Sequence, residues 1–269
     1  MVKRTRALLA IALATFIVPL IARAADEQVD QQAKVFEKQV TVRLDYLLFL
    51  PKGYAENSDK KWPLMLFLHG AGERGSDVNK VKAHGPPKIV QDRKDFPFIV
   101  VSPQCPADSW WRPYELVALL DEIQKDYRVD ADRVYLTGLS MGGFGTWDLA
   151  SQYPQRFAAI APICGGGNPA MVRRIKNLPV WVFHGDADRV VPVALSDEMV
   201  DKLKKAGADV TYTRYEGIDH DSWTKTYANE ELYQWMLSHK RGEKKTAAAA
   251  PAAPAAPAAP APAAAGGGK

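Results

Sequence analysis

The chain has only two cysteines, Cys105 and Cys164, too few for a disulfide scaffold. Each lies just past an expected strand, and those strands are not neighbours in the topology argued below, so two free, buried thiols are expected. His-x-x-His and Cys-x-x-Cys spacings are missing, so neither a metal nor a cofactor is implied. The apolar run Ala7–Ala22 falls short of the ~20 residues a spanning helix needs, and it contains Pro19. Lys3, Arg4 and Arg6 precede it and Ala22-Arg23-Ala24 closes it, the pattern of a secretory signal peptide cut after Ala24. Residues 1–24 are therefore expected to leave. The remainder is expected to be exported, periplasmic or secreted, with no stable membrane anchor. Removing that segment takes away four basic residues and no acid, so Lys+Arg falls from 35 to 31, equal to the 31 Asp+Glu. Such a balance gives no sign of nucleic-acid binding.

Apolar residues suffice for a core, and the length suits one domain. Pro63–Leu68 and Phe98–Ser102 are continuous apolar runs, as in strands buried on both faces. Arg133–Thr137, Ala158–Ile163, Val180–Phe183 and Val210–Tyr215 complete that set, and Ala33–Gln39 with Val42–Leu50 reads as a first antiparallel pair. Helical patterns lie between them at Tyr114–Tyr127, Met141–Gln152, Val193–Ala206 and Trp223–His239. Alternation of this kind predicts an α/β fold: a mainly parallel, doubly wound sheet with an antiparallel N-terminal strand pair. Residues 25–242 make up this domain. From residue 243 the chain turns into an Ala/Pro-rich tail, with prolines at 251, 254, 257 and 260, expected to be extended and disordered.

Gly138-Leu139-Ser140-Met141-Gly142 joins an expected strand to an expected helix. A G-x-S-x-G in that context is a nucleophile elbow, in which small neighbours let strand and helix pass close beside a serine. A serine hydroxyl needs a base, usually a histidine held by a carboxylate, and in strand-first folds the order is serine, acid, histidine. Of five histidines, His69 and His84 precede Ser140, His184 closes a strand, and His239 sits near a helix end. His220 alone combines the right order with a loop position. Asp186 and Asp188 both follow the strand Val180–Phe183 and could supply the acid, Asp188 lying farther along the loop. An oxyanion needs N–H donors. Met141, at the start of the helix, offers one. The loop His69-Gly70-Ala71-Gly72-Glu73-Arg74-Gly75 offers another, with Ala71 first and Gly70 or Gly72 as alternatives. No Lys-Ser/Thr pair follows this Gly-rich run, which excludes a phosphate loop. Trp110 and Trp111, in a loop past another strand, either form a stacking surface for an aromatic acyl group or a sugar ring or pack the loop down, and Trp223, just beyond His220, faces the same choice.

These residues together resemble the α/β-hydrolase superfamily, in particular its secreted esterase branch of dienelactone hydrolase-like proteins, phospholipase/carboxylesterases and polyhydroxybutyrate depolymerase-like or feruloyl-type esterases. The motifs that carry the resemblance are Leu68–Gly75, Ser102–Pro106, Gly138–Gly143, Ile163–Gly167 and His184–Pro192. It implies the α/β-hydrolase fold and a Ser140, Asp188, His220 triad that cleaves carboxylic esters of small molecules or carbohydrates through an acyl-enzyme. The absence of a long insertion between Ile163 and Val180 implies an open site. A serine peptidase of the prolyl-oligopeptidase kind would use the same machinery, but it usually carries a propeller-like domain for which this chain has no room. A non-catalytic carbohydrate-binding protein on this fold would not need all three side chains.

Overall fold

The computed structural model describes residues 31, 33–56 and 58–243. The expected signal peptide, and the expected tail beyond Glu243, lie outside the described residues. The chain divides into Met1–Val40 and Thr41–Lys269. In the first unit the described residues form no helix or strand and are all exposed.

The second unit holds a seven-stranded sheet. Its strands are β1 (Tyr46–Phe49), β2 (Trp62–Leu68), β3 (Ile99–Pro103), β4 (Val129–Leu139), β5 (Ala159–Ile163), β6 (Val180–Gly185) and β7 (Val210–Tyr215), in the order β1-β3-β2-β4-β5-β6-β7. Every neighbouring pair is parallel except β1 with β3. The antiparallel edge therefore exists, but its partner differs from the expected one. Tyr46 faces Pro103 and Phe49 faces Val100, while 33–39 forms no strand. Val35 and Phe36 are adjacent, so a strand would send them to opposite faces and bury neither with the other. Both stay about nine-tenths exposed, at 93% and 89%.

Helices cover both faces: α1 (Gly85–Ile89), α2 (Pro113–Asp126), α3 (Met141–Gln152), α4 (Val172–Ile175), α5 (Ala194–Lys205), α6 (Trp223–Tyr227) and α7 (Glu230–Leu237). The period-2 alternation of β2 splits its apolar run between two cores. Leu64, Leu66 and Leu68 meet Leu116 and Leu120 of α2, Trp147 of α3 and Leu203 of α5. Met65 and Phe67 meet Tyr227 of α6 with Leu232 and Met236 of α7. Full burial of such a side chain stabilises the fold by roughly 1.5–3 kcal/mol. The helix expected over Trp223–His239 is two helices. Asn229, at φ −84° and ψ 111°, leaves the helical region, and its side chain accepts from the Glu231 N–H to cap α7. Capping is the position asparagine prefers, and Glu230 and Glu231 suit the positive helix end. Loops after β2, β4, β6 and β7 open on the carboxyl edge of the sheet, where open α/β sheets place their ligands.

Candidate active site

Ser140 stands between β4 and α3 at φ 52° and ψ −117°, a region that a non-glycine residue occupies only under constraint. The constraint is local crowding. A Cβ on Gly142 would overlap the Leu68 carbonyl, and one on Gly138 would overlap the Gly142 carbonyl, so glycine at both positions lets helix and strands close around the serine. The Ser140 N–H donates to Ile163 O at 3.0 Å and lies 3.3 Å from Cys164 Sγ.

His220, in the loop after β7, brings Nε2 to 3.0 Å from Ser140 Oγ. Its Nδ1 lies 2.8 Å from Oδ2 of Asp188, in the loop after β6. The Asp188 side chain is fully buried, and its Oδ1 accepts from the Val190 and Val191 N–H groups, each at 2.8 Å. Burial pushes the carboxyl pKa up, but the bonds from His220 and the two amides outweigh it, and the group ends below the usual carboxylate value. Asp188 is thus held as an anion behind the imidazole. This row can move a proton from the hydroxyl to Nε2 while the carboxylate stabilises the resulting cation. Asp186 faces elsewhere, accepting from the Gly217 N–H at 2.7 Å.

Met141 is the first residue of α3, where backbone N–H groups have no partner within the helix. Ala71 opens a short 3₁₀ turn, Ala71–Glu73, directly after Gly70. A Cβ on Gly70 would come within 2.8 Å of Leu139 Cδ1 and 3.7 Å of Ser140 Cβ, so this loop lies against the elbow. The two tryptophans part company. Trp111 is buried, donating from Nε1 to His69 O at 3.2 Å and packing on the His69 ring at 4.8 Å. Trp111 is therefore not part of a stacking surface, and of the two readings of the pair it takes the packing one: it fastens the loop to the end of β2. Trp110 is 52% exposed. Its ring centroid is 6.1 Å from that of Phe144, one helical turn beyond Ser140. Trp110, Phe144, Asp148, Gln152, Asn168 and Met171 line a cleft of about 450 Å³. Cys105 and Cys164 are buried and unbonded.

Two sets of contacts, those of His184 and of Arg189, escaped the sequence reading. His184 Nε2 reaches Asp188 Oδ2 at 3.1 Å and Val191 O at 2.9 Å, and its Nδ1 lies 2.8 Å from Ser196 Oγ, so the acid is braced from a second side. No sequence signal marks this contact, because a four-residue spacing brings side chains together on a helix and not from a strand end into a loop. Arg189 ties the acid loop to the histidine loop. Its N–H and Nε donate to Asp219 at 2.9 and 2.7 Å, while Asp219 also accepts from the His220 N–H at 2.9 Å. Those bonds, first the Arg189 amide and guanidinium, hold the Asp219 pKa down at about 2. Trp223 packs edge-on against the His220 ring at 5.1 Å. Among the described residues, one group of possible metal ligands gathers here: Cys164, Asp188 and His220, with donor atoms within 4.8 Å. Asp188 and His220 are already bonded to each other, and burial pushes the Cys164 thiol up to about 12. This set fits proton transfer better than an ion.

Two family models match the chain, the dienelactone hydrolase family over residues 113–250 and the family described as "Putative esterase" over 37–181. A solved structure of a thermostable esterase aligns with TM-score 0.64 at 41% identity, covering 74% of this chain and 60% of that one. The bifunctional acetylxylan esterase/xylanase XynS20E of Neocallimastix patriciarum is 30% identical over 158 residues, 55% of this chain and 22% of its own length. A poly(3-hydroxyoctanoate) depolymerase of Pseudomonas fluorescens is 26% identical over 209 residues, 66% of this chain and 74% of its own. The chain thus spans less than two thirds of the thermostable esterase and about a fifth of the bifunctional enzyme.

Proposed function

The chain belongs to the dienelactone hydrolase family of α/β-hydrolases, and from that premise we propose that it is an exported serine hydrolase that cleaves carboxylic esters through an acyl-enzyme. One observation carries the mechanism: the unbroken hydrogen-bonded row from Ser140 through His220 to Asp188. Ser140 Oγ attacks the ester carbonyl as His220 Nε2 takes its proton, and Asp188 stabilises the imidazolium. The oxyanion is held by the Met141 N–H at the positive end of α3 and by the Ala71 N–H across from it. His220 returns the proton to the departing alcohol. Water, deprotonated by the same ring, then releases the acid.

The cleft beside Phe144 receives the rest of the substrate, a small-molecule or carbohydrate ester, with Trp110 as an aromatic wall. The relatives named for acetylxylan and for a polyester support an ester rather than a peptide bond as the target. Export is proposed from the basic-then-apolar start of the sequence. Among the described residues no helix is long and apolar enough to cross a membrane. The test is turnover of short-chain p-nitrophenyl esters, acetylated xylan and a polyhydroxyalkanoate by the wild type and Ser140→Ala. Activity on at least one substrate that disappears with the hydroxyl supports the reading; undiminished turnover in Ser140→Ala refutes it.

A further inference from the structure

The cleft that starts at Phe144 follows α3 away from the nucleophile. Phe144, Asp148 and Gln152 are spaced four apart, so they share one stripe of the helix, and all three line the cleft. Ser140 stands at the head of that stripe, its carbonyl accepting from the Phe144 N–H at 3.0 Å. At about 1.5 Å of rise per residue, the lining from Phe144 to Gln152 runs about 12 Å along the helix. A short acyl group or a single sugar at Ser140 leaves the far part of that length unfilled. The loop after β5 forms the opposite wall. It passes as bare backbone at Gly166, where a Cβ would come within 2.9 Å of Leu195 Cβ and 3.1 Å of Phe144 Cε1. At about 450 Å³ the groove falls in the roughly 300–1,000 Å³ range of small-molecule sites.

The chemistry of the walls changes along this length. Trp110, 52% exposed, and Phe144 make the near end aromatic, with ring centroids 6.1 Å apart. The far end is polar. Gln152 Nε2 donates to Asp148 Oδ1 at 2.8 Å, which sets a carboxylate beside a carboxamide, and Asn168 adds a second carboxamide. Among the described residues, Asp148 is the one charged side chain lining the groove. A carboxylate only accepts hydrogen bonds, whereas carboxamides both give and accept. A chain of sugars suits this order, because each ring offers a C–H face to an aromatic wall and hydroxyls that can give to Asp148 and accept from the amides. An aliphatic polyester offers acceptor oxygens along its length and no donor for Asp148.

We propose that the groove along α3 is a distal subsite for the sugar chain that carries the ester, and that Asp148 is a specificity-determining residue that accepts a hydrogen bond from a sugar beyond the esterified one. This rests on the serine-esterase reading and narrows its substrate class to esters of oligosaccharides. A site built to bond a substrate hydroxyl discriminates against the analogue that lacks one.

The test compares kcat/KM for a monoacetylated methyl xyloside and for xylotriose monoacetylated on either terminal sugar. The wild type is expected to favour the better trisaccharide isomer at least about tenfold. Asp148→Ala is expected to bring that ratio close to one, and Asp148→Asn, which keeps an acceptor oxygen without the charge, to fall between. Both substrates meet the same enzyme, so a change in the amount of folded protein cancels from the ratio. For the methyl esters of a 3-hydroxybutyrate trimer and its monomer, the ratio is expected near one. A wild-type xyloside ratio near one, a ratio unmoved in Asp148→Ala, no turnover of either xyloside, or an equal preference for the hydroxybutyrate trimer overturns the proposal. Fluorophosphonate labelling of wild-type Ser140 separates the failures. Label with any of those results removes only the sugar subsite, whereas absence of label removes the serine-esterase reading and this inference with it.

Discussion

At the turn between β4 and α3 the backbone does the positioning, whereas in the loop between β7 and α6 side chains do it. Ser140 is forced to φ 52° by main-chain crowding, with Gly138, Gly142 and the Leu68 carbonyl leaving no room for any Cβ at the two glycines. His220 sits in a loop whose positive-φ residue is Gly217, three positions away. Its ring is fixed by Asp188, Trp223 and, through the backbone N–H, by an Asp219 anchored on Arg189. A backbone-built site has to write its constraint into neighbouring residues. A side-chain-built one spreads it over partners about thirty residues apart, such as Arg189 and Asp219.

The comparison breaks most severely at the reacting groups. His220→Ala is expected to lower kcat by about 10⁶-fold, and Asp188→Asn by about 10⁴-fold because the imidazole loses the partner that fixes its tautomer; steady-state ester turnover measures both. At the elbow, Gly142→Ala must push α3 away from Leu68, since its Cβ meets a carbonyl and not a flexible side chain. Roughly 100-fold less activity is expected for a displacement of about 1 Å, together with destabilisation of about 1–3 kcal/mol from overpacking, read by urea unfolding. On the side-chain-built half, Asp219→Ala is expected to cost less than about tenfold in kcat, because Asp188 and Trp223 still hold the ring; the same assay decides it. If Asp219→Ala proves worse than Gly142→Ala, the contrast drawn between the two regions is inverted. The smallest effect is expected at the cleft. Trp110→Ala should raise KM for sugar esters about fivefold, the worth of one aromatic contact of about 1 kcal/mol, rather than lower kcat.

The same contrast explains what could be read without coordinates. The buried strands of the sheet announced themselves as apolar runs, and the elbow as small residues between a strand and a helix. Chain order then picked out His220 and the loop holding Asp188. By sequence His184 is a strand-end histidine, and only the fold shows its Nε2 turned to Asp188 Oδ2. The Arg189–Asp219 tie depends likewise on loops from different strands meeting at one edge. The sequence leaves Trp110 and Trp111 open between a stacking surface and loop packing, and the fold divides them, one exposed beside Phe144 and the other buried on His69. The break at Asn229 interrupts the helical pattern expected over 223–239, and the residues that make it, an asparagine followed by Glu230 and Glu231, are ones a helix start favours.

The most direct test of the central claim is to quench wild-type protein within milliseconds of mixing with p-nitrophenyl acetate and map the modified peptide by mass spectrometry. The account predicts an acetyl group on Ser140 that accumulates with the burst of p-nitrophenol and is missing from His220→Ala. Turnover with no acetyl group at Ser140, or with acetyl on another side chain, would contradict it.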